Sequence, residues 1–263
     1  MVHLCALGSG SSGNALVLSA GEESILIDAG FSRKELLRRM ELTGIAPENI
    51  SAALLTHEHD DHVKGCRVFC DQMDIPLCTT ALTARFLRPK NKLPRKVYEF
   101  EPGENFEIGS FRIQPFAVQH DAVNPVGFVI HHENIKIGIA TDLGDLNTLA
   151  MQHLSNCDAL VLESNYDAQM LRDSDRALSL KRRILGRHGH LDNVVAVNAL
   201  EHLLGVNTRC LLLAHLSSEC NSRCLVENMF SEKLRSLNRE DITMRVIDQC
   251  NPVGPFELES FNG

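Results

Sequence analysis

The sequence predicts an α/β protein in which two β-sheets pack together and helices cover their outer faces. Three observations predict it. Short apolar runs bounded by Gly-containing turns recur along the chain, as strands do. Both halves mix hairpin-joined strands with helical connections, which suits sheet layers lying between helix layers. No linker or low-complexity tract interrupts the 263 residues, so one domain over 1–263 is expected.

The elements follow in order. "HLCAL", "ALVLSA" and "SILIDA" read as three opening strands. A helix is expected from Ser32 to Thr43, opened by a capping box of Ser32 with Glu35 and carrying Leu36, Leu37 and Met40 on one face. "AALLTH" is a buried strand ending at His57, followed by a helix near 61–72 and the strand "IPLCTT". From Val97 to Asp142 the chain reads as a β meander of "VYEF", "FEIGSFRIQPFAV", "VGFVIHH" and "IKIGIATD". A helix at 146–155 leads to "ALVLES", and helical stretches follow around 166–187 and 194–204. The strand "CLLLAHL", a helix over 224–237 and a last strand "ITMRVID" complete the set.

Composition excludes several classes. No apolar run is long enough to cross a bilayer. The N-terminus lacks the basic flank and apolar length of a secretory signal, and neither end carries a lipidation signature. A cytoplasmic protein is therefore expected. The nine cysteines form no C-x-x-C pair, and reduced thiols are the default. Cys66/Cys70 and Cys220/Cys224 share C-x-x-x-C spacing, a weak candidate for a structural zinc. A net charge of −8 argues against a broad basic surface, though not against a local positive site.

The histidines carry the strongest signal. "THEHDDH" at the end of an apolar strand contains His57, His59, Asp61 and His62. Imidazole nitrogen and carboxylate oxygen are ligands for Zn²⁺ and similar ions. So many ligands in so short a loop do not easily share one tetrahedral ion, and two neighbouring ions are the natural solution. The metalloprotease pattern H-E-x-x-H fails, because Asp61 stands where its second histidine would be. His120, Asp142 and His215 each follow a later apolar strand directly. Any one of them alone would be an ordinary polar residue; together with the cluster they complete a ligand set.

With these residues in view, the chain resembles the metallo-β-lactamase-fold proteins. Asp28 after an early strand, "THEHDDH", His120, Asp142 and His215 occur in the family's order and cover nearly the whole chain. The resemblance implies a four-layer αββα sandwich with two metals at one edge of the sheets. It implies that His57, His59 and His120 bind one metal, that Asp61, His62 and His215 bind the other, and that Asp142 bridges. The oxygen-reducing diiron branch has Glu where this chain has His59, so hydrolysis is expected. "GSGSSGN", "THEHDDHVKG", "QHDAVNPVGFVI", "ATDLGD", "ALVLESNYD", "SLKRRILGRHGHLDN" and "LLLAHLS" are similar to the YycJ/WalJ-type branch. That branch is related to ribonuclease Z and to phosphonate-pathway phosphodiesterases, and its members are regarded as 5′-to-3′ DNA exonucleases. Asp60 where Ser is usual, and "GHLDN" for "GHLSN", are departures that remove no ligand.

The expected chemistry is phosphodiester hydrolysis by a metal-bridging hydroxide, with Zn²⁺ or Mn²⁺ as the ions and Fe²⁺ as a further candidate. Asp61 both coordinates and orients the nucleophile. Two divalent ions against two carboxylates leave the site about +2 in an acidic chain. His190 is the candidate proton donor to the leaving oxygen, by its resemblance in position to a phosphate-contacting His of ribonuclease Z-like enzymes; His188 is its rival. The other reading of His190 is a helix-end histidine beside its dipole. Lys181, Arg182, Arg183 and Arg187 precede it, either to hold phosphates, with Arg182 as the candidate contact, or as a solvated basic face. Asn165 is a candidate to touch substrate, and Glu163 to support a histidine ligand.

Nucleic acid is thus the expected partner, DNA first and RNA second. The alternatives are a small-molecule hydrolase acting on a cyclic phosphodiester or a thioester, and a metal-binding regulatory protein without turnover. "GSGSSGN" matches the dinucleotide pattern G-x-G-x-x-G, but a strand follows where a helix should, so no nicotinamide cofactor is expected. Ser11, Ser12 and Asn14 are instead candidates to meet the substrate phosphate or to order the ligand loops.

Overall fold

A computed structural model describes residues 1–259; the end of the expected span, 260–263, lies outside the described residues. The chain opens with β1 (Val2–Gly8), β2 (Ala15–Ala20) and β3 (Glu23–Ile27), then α1 (Arg33–Leu42) and β4 (Ile50–Leu54). Helices α2 (Asp60–Val63) and α3 (Cys66–Met73), strand β5 (Leu77–Thr80), helix α4 (Ala81–Leu87) and strand β6 (Val97–Phe100) follow. Strands β7 (Phe106–Ile108), β8 (Phe111–Ala117), β9 (Val126–His132) and β10 (Ile135–Ala140) form a meander. Then come α5 (Thr148–Leu154), β11 (Ala159–Glu163), α6 (Ala168–Asp173), α7 (Leu178–Ile184) and α8 (Asn193–Leu203). Strand β12 (Cys210–Ala214), helix α9 (Arg223–Ser236), and strands β13 (Thr243–Val246) and β14 (Val253–Leu258) end the order.

Two seven-stranded sheets result, β14-β1-β2-β3-β4-β5-β6 and β13-β12-β11-β10-β9-β8-β7. Each has an antiparallel part and a parallel part. The parallel pairs need crossovers, which the helices supply. Side-chain alternation then assigns the layers. Leu16, Leu18, Ile25 and Ile27 face inward and meet Ile137, Ile139, Val161 and Leu212 of the second sheet. Val17 and Leu26 face outward onto Leu36 and Met40 of α1 and Phe69 of α3. Leu160 and Leu162 face outward onto Leu154, Leu200 and Phe230 of α5, α8 and α9. This is the four-layer α/β arrangement that was expected, and buried central strands explain why runs such as "ALVLE" are apolar throughout.

Several boundaries differ from expectation. "VYEF" is not part of the meander: β6 pairs parallel with β5 at the edge of the first sheet, and α4 carries the chain between them. The last strand is not "ITMRVID" but β14, which pairs antiparallel with β1. The expected helix at 61–72 is two helices, as is the stretch at 166–187. At α1 the Ser32 hydroxyl accepts from the Glu35 amide at 3.3 Å, but the Glu35 carboxylate takes Arg38 and Arg39. Only half the capping box forms.

Candidate metal centre

Strands β3, β4, β8, β10, β11 and β12 all end at one rim where the two sheets meet, and the chain turns polar there. Asp28 follows β3, His57 lies beyond β4, His120 beyond β8, Asp142 beyond β10 and His215 directly after β12, while Glu163 ends β11. Asp28 and His215 both adopt left-handed backbone angles, φ 58° and 56°. Non-glycine residues rarely do so, and such strain is commonly held at functional sites.

The imidazoles are anchored from behind. His120 Nδ1 donates to the Gly189 carbonyl at 2.9 Å. His62 Nδ1 lies 2.7 Å from Asp28 Oδ2, and His215 Nδ1 lies 3.0 Å from Glu163 Oε1. Thr56 Oγ1 gives its one hydrogen to Asp28, so it accepts from His57 Nδ1 at 3.0 Å. With Nδ1 protonated in each, the Nε2 atoms of His57 and His215 have no partner, while His62 Nε2 lies 3.0 Å from the Asn14 amide nitrogen and His120 Nε2 lies beside His59 Nδ1. Anchoring of a histidine's second nitrogen is a regular feature of metal ligands.

The candidate ligand atoms converge. His57, His59 and His120 form one group whose ligand atoms lie within 4.8 Å of one another, and Asp61, His62 and His215 form a second. His59 Nδ1 is 3.3 Å from His120 Nε2. Asp61 Oδ2 is 3.4 Å from His215 Nε2 and 3.6 Å from His62 Nε2. Asp142 lies between the groups, with Oδ2 3.1 Å from His62 Nε2 and Oδ1 3.9 Å from His120 Nε2. Three buried atoms, His57 Nε2, His215 Nε2 and Asp142 Oδ2, have no hydrogen-bond partner; the short Asp142–His62 approach lacks hydrogen-bond geometry. Unpartnered buried polar atoms are costly unless something else satisfies them. These donors fit divalent cations in number, type and direction.

The electrostatics agree. Burial pushes the His57 imidazole well below its ordinary value, which keeps it neutral. Burial also acts downward on His215, but Asp142, Asp61 and Glu163 outweigh it and raise the group to about 10. Burial acts upward on Asp142, yet His215 and His62 hold its carboxyl well below the usual range. The carboxylates therefore draw positive charge to this point.

The remaining sequence candidates take definite places. Asn14 is 2 % exposed; its amide nitrogen lies 3.2 Å from Asp61 Oδ2 and its Oδ1 accepts from the Ser9 hydroxyl at 2.7 Å. The Ser9 Oγ in turn accepts from the His215 amide at 2.9 Å. Asn14 thus orders the ligand loops from beneath. Ser11 lines both cavities that flank the cluster, and Ser12 lines the larger. Asn165 is buried, lines the smaller cavity and donates to the His215 carbonyl at 2.6 Å. His190 Nδ1 is 2.7 Å from Glu163 Oε1, and its ring borders the same cavity. His188 is exposed.

Arg182 is exposed and lines neither cavity; Arg183 and Arg176 line the smaller one instead. Glu163 does support a histidine, and two: its Oε2 also accepts from Leu143 and Leu191 amides at 2.9 and 3.0 Å. Among the described residues, no group within reach of a shared ion contains cysteine. Cys66 and Cys70 lie on the buried face of α3, in the apolar layer between the helices and the first sheet, and burial pushes the Cys70 thiol up to about 12. The C-x-x-x-C zinc is therefore not supported.

Three contributors escaped sequence reasoning. Asp121 pairs with Arg183 and lies 3.5 Å from His120 Nε2. Its adjacency to His120 was the available signal. Gln249 accepts from the Ser12 amide at 2.9 Å and so holds the glycine loop from the far end of the chain. Lys92 pairs with Asp60 across the larger cavity's wall. No pattern in the chain announces the last two.

Comparison with known proteins follows the geometry. The family model described as "Beta-lactamase superfamily domain" matches residues 23–216. The chain is 32% identical over 235 residues to exodeoxyribonuclease YycJ of Bacillus anthracis, covering 89% of each chain. It is 32% identical over 219 residues to exodeoxyribonuclease WalJ of Streptococcus pneumoniae, covering 82% of this chain and 81% of that one. The crystal structure of the metallo-beta-lactamase fold protein YhfI from Bacillus subtilis superposes with a TM-score of 0.72 at 17% identity, over 96% of this chain and 98% of that one, which speaks to the fold.

Proposed function

The chain belongs to the beta-lactamase superfamily and is a metal-dependent hydrolase, and from that premise we propose that it is a dinuclear phosphodiesterase acting on nucleic acid, a 5′-to-3′ DNA exonuclease. The observation that carries the reading is the converging donor set, two groups of three joined by Asp142, in a chain whose near-full-length relatives are named exodeoxyribonucleases. His57, His59 and His120 would hold one ion, Asp61, His62 and His215 the other, and Asp142 both. Zn²⁺ or Mn²⁺ suits these ligands, and such a pair supplies Lewis acidity and an acidified water.

The chain's own residues do the rest. Asp61 would help to hold an ion and to orient the attacking water. Arg183 and Arg176 line the smaller cavity, paired with Asp121 and Glu219, and would exchange those carboxylates for non-bridging phosphate oxygens. His190 Nδ1 is committed to Glu163, so its Nε2 is the atom that gives a proton to the leaving 3′ oxygen. Burial opposes a charge on His190, but Glu163 outweighs it and raises the group, which favours the proton-bearing form. Among the described residues no helix is long and apolar enough to cross a membrane, and the free thiols suit the reducing cytoplasm.

The test is metal analysis joined to a substrate panel: 5′-labelled single- and double-stranded DNA, RNA, bis-p-nitrophenyl phosphate and a thioester, each with Zn²⁺ and Mn²⁺. DNA should be shortened from its 5′ end, and Asp61→Ala should abolish this. Thioester turnover without DNA loss would replace the reading with a small-molecule hydrolase. Neither activity under any metal would leave the regulatory alternative.

A further inference from the structure

The larger cavity beside the cluster has a volume of about 570 Å³, against about 130 Å³ for the smaller. Ser11 lines both, so they adjoin across the metal centre, and Asp61 forms part of the larger one's wall. Three cations also line it: Lys64, Arg67 and Lys92. Lys92 is neutralised by its pairing with Asp60. Lys64 and Arg67 are exposed and have no acidic partner among the described residues. Lys64 and Gly65 both have right-handed helical angles leading into α3, so Lys64 and Arg67, three apart, share one side. The cavity has no aromatic lining, so it offers no platform for stacked bases.

Two unpaired cations on one side of the larger cavity, beside the candidate metal centre, in a chain of net charge −8, make a local reversal of sign. We propose that this cavity is the track for the nucleic-acid strand beyond the scissile bond, with Lys64 and Arg67 each holding a backbone phosphate. The inference rests on the nucleic-acid reading above and assigns it a direction: the reacting end lies towards Arg183, the retained strand towards Lys64. Contacts of this kind carry no base information, so binding is indifferent to sequence.

The experiment reads binding, not turnover. A labelled phosphorothioate oligonucleotide is titrated by fluorescence anisotropy, with Zn²⁺ present, across a salt series. Removing two phosphate contacts lowers the slope of log K against log salt by about 1.4 for a single strand, or about 25-fold in affinity at 0.1 M salt. Lys64→Ala/Arg67→Ala should show that loss for the oligonucleotide and little of it for a dinucleotide too short to reach the track. Lys64→Arg/Arg67→Lys should keep the wild-type slope. Asp60→Asn, which frees Lys92, should steepen it. An unchanged slope in the double-alanine variant overturns the track, as does an equal loss for the dinucleotide. Wild-type turnover of bis-p-nitrophenyl phosphate is read separately. If it is absent while the slope still falls, the track stands and the hydrolytic reading fails.

Discussion

A Cβ placed on Gly30 would fall 1.7 Å from the backbone oxygen of Asp61 and 2.5 Å from the Asn14 amide. At this point the segment after β3, the glycine loop and the ligand loop meet backbone to backbone: Asn14 N donates to Asp61 O at 2.7 Å and Gly30 N to Asn14 O at 2.9 Å. Gly30→Ala must push the ligand loop away, at a cost of about 1–3 kcal/mol or more. Circular dichroism should still report the fold while metal stoichiometry falls; full metal content would contradict the role given to this contact. Asp28→Asn weakens the hold on His62, and about 10–100-fold weaker metal binding is expected by competition with a chelating dye. His190→Ala separates proton donation from binding. It should lower kcat on DNA by about 10²–10⁴-fold. On a p-nitrophenyl diester, whose leaving group needs no proton, the loss should be far smaller, and equal losses on both would reject His190 as the acid. The convergence of the candidate ligands was legible, because His57 to His62 are adjacent in sequence and the rest directly follow apolar runs. Their supports were less so. Ser9 reaches the His215 amide, and Gln249 the Ser12 amide, across most of the chain. Local pattern carries no trace of such pairs.

The elements were legible where one face is apolar and the caps are local. Helix α1 shows both: Leu36 and Met40 are buried, and Ser32 caps its first turn. Ser32→Ala should cost about 1 kcal/mol, and Leu36→Ala about 2–5 kcal/mol, by urea denaturation. Near-equal values would mean that α1 is held by its cap and not by the sheet beneath. Strand β14 was not legible, because "NPVGPFEL" carries two prolines and a glycine, residues that ordinarily demote a run from strand status. An edge strand tolerates them, and β14 lies at an edge. Strand β6 was misplaced for a different reason. Its four residues look alike in either sheet, and only the α4 crossover, with β5 alongside, decides which one it joins. The glycine loop shows how context resolves a motif. It joins β1 to β2, antiparallel neighbours, so its amides meet the ligand loop and Gln249 instead of opening a helix.

At the scale of the whole molecule, the candidate centre joins the two sheets. His57, His59, Asp61 and His62 stand on the first sheet's rim, and His120, Asp142 and His215 on the second's. Ions held by both groups would cross-brace layers that otherwise cohere through apolar packing between them. Ligand binding to the native state stabilises by about 2.7 kcal/mol at a hundredfold excess over Kd. For a chain of this size that corresponds to a rise in Tm of about 5–10 °C. Removing metal with a chelator should reverse the rise, and adding Zn²⁺ should restore it. The sign with pH follows from the ligands. Imidazole must be neutral to coordinate, so protons compete with the ion. Because His215 is raised to about 10, the metal-dependent part of Tm should still grow above about pH 7, level off only near that value, and shrink as pH falls below it. Asp142→Asn removes the carboxylate shared by the two groups and should abolish most of the rise; because it also removes the charge partner of His62 and His215, the chelated protein's Tm should fall as well. A chelator-independent Tm in the wild type, at any pH, would mean that the sheets do not depend on the ions and that the centre serves chemistry alone.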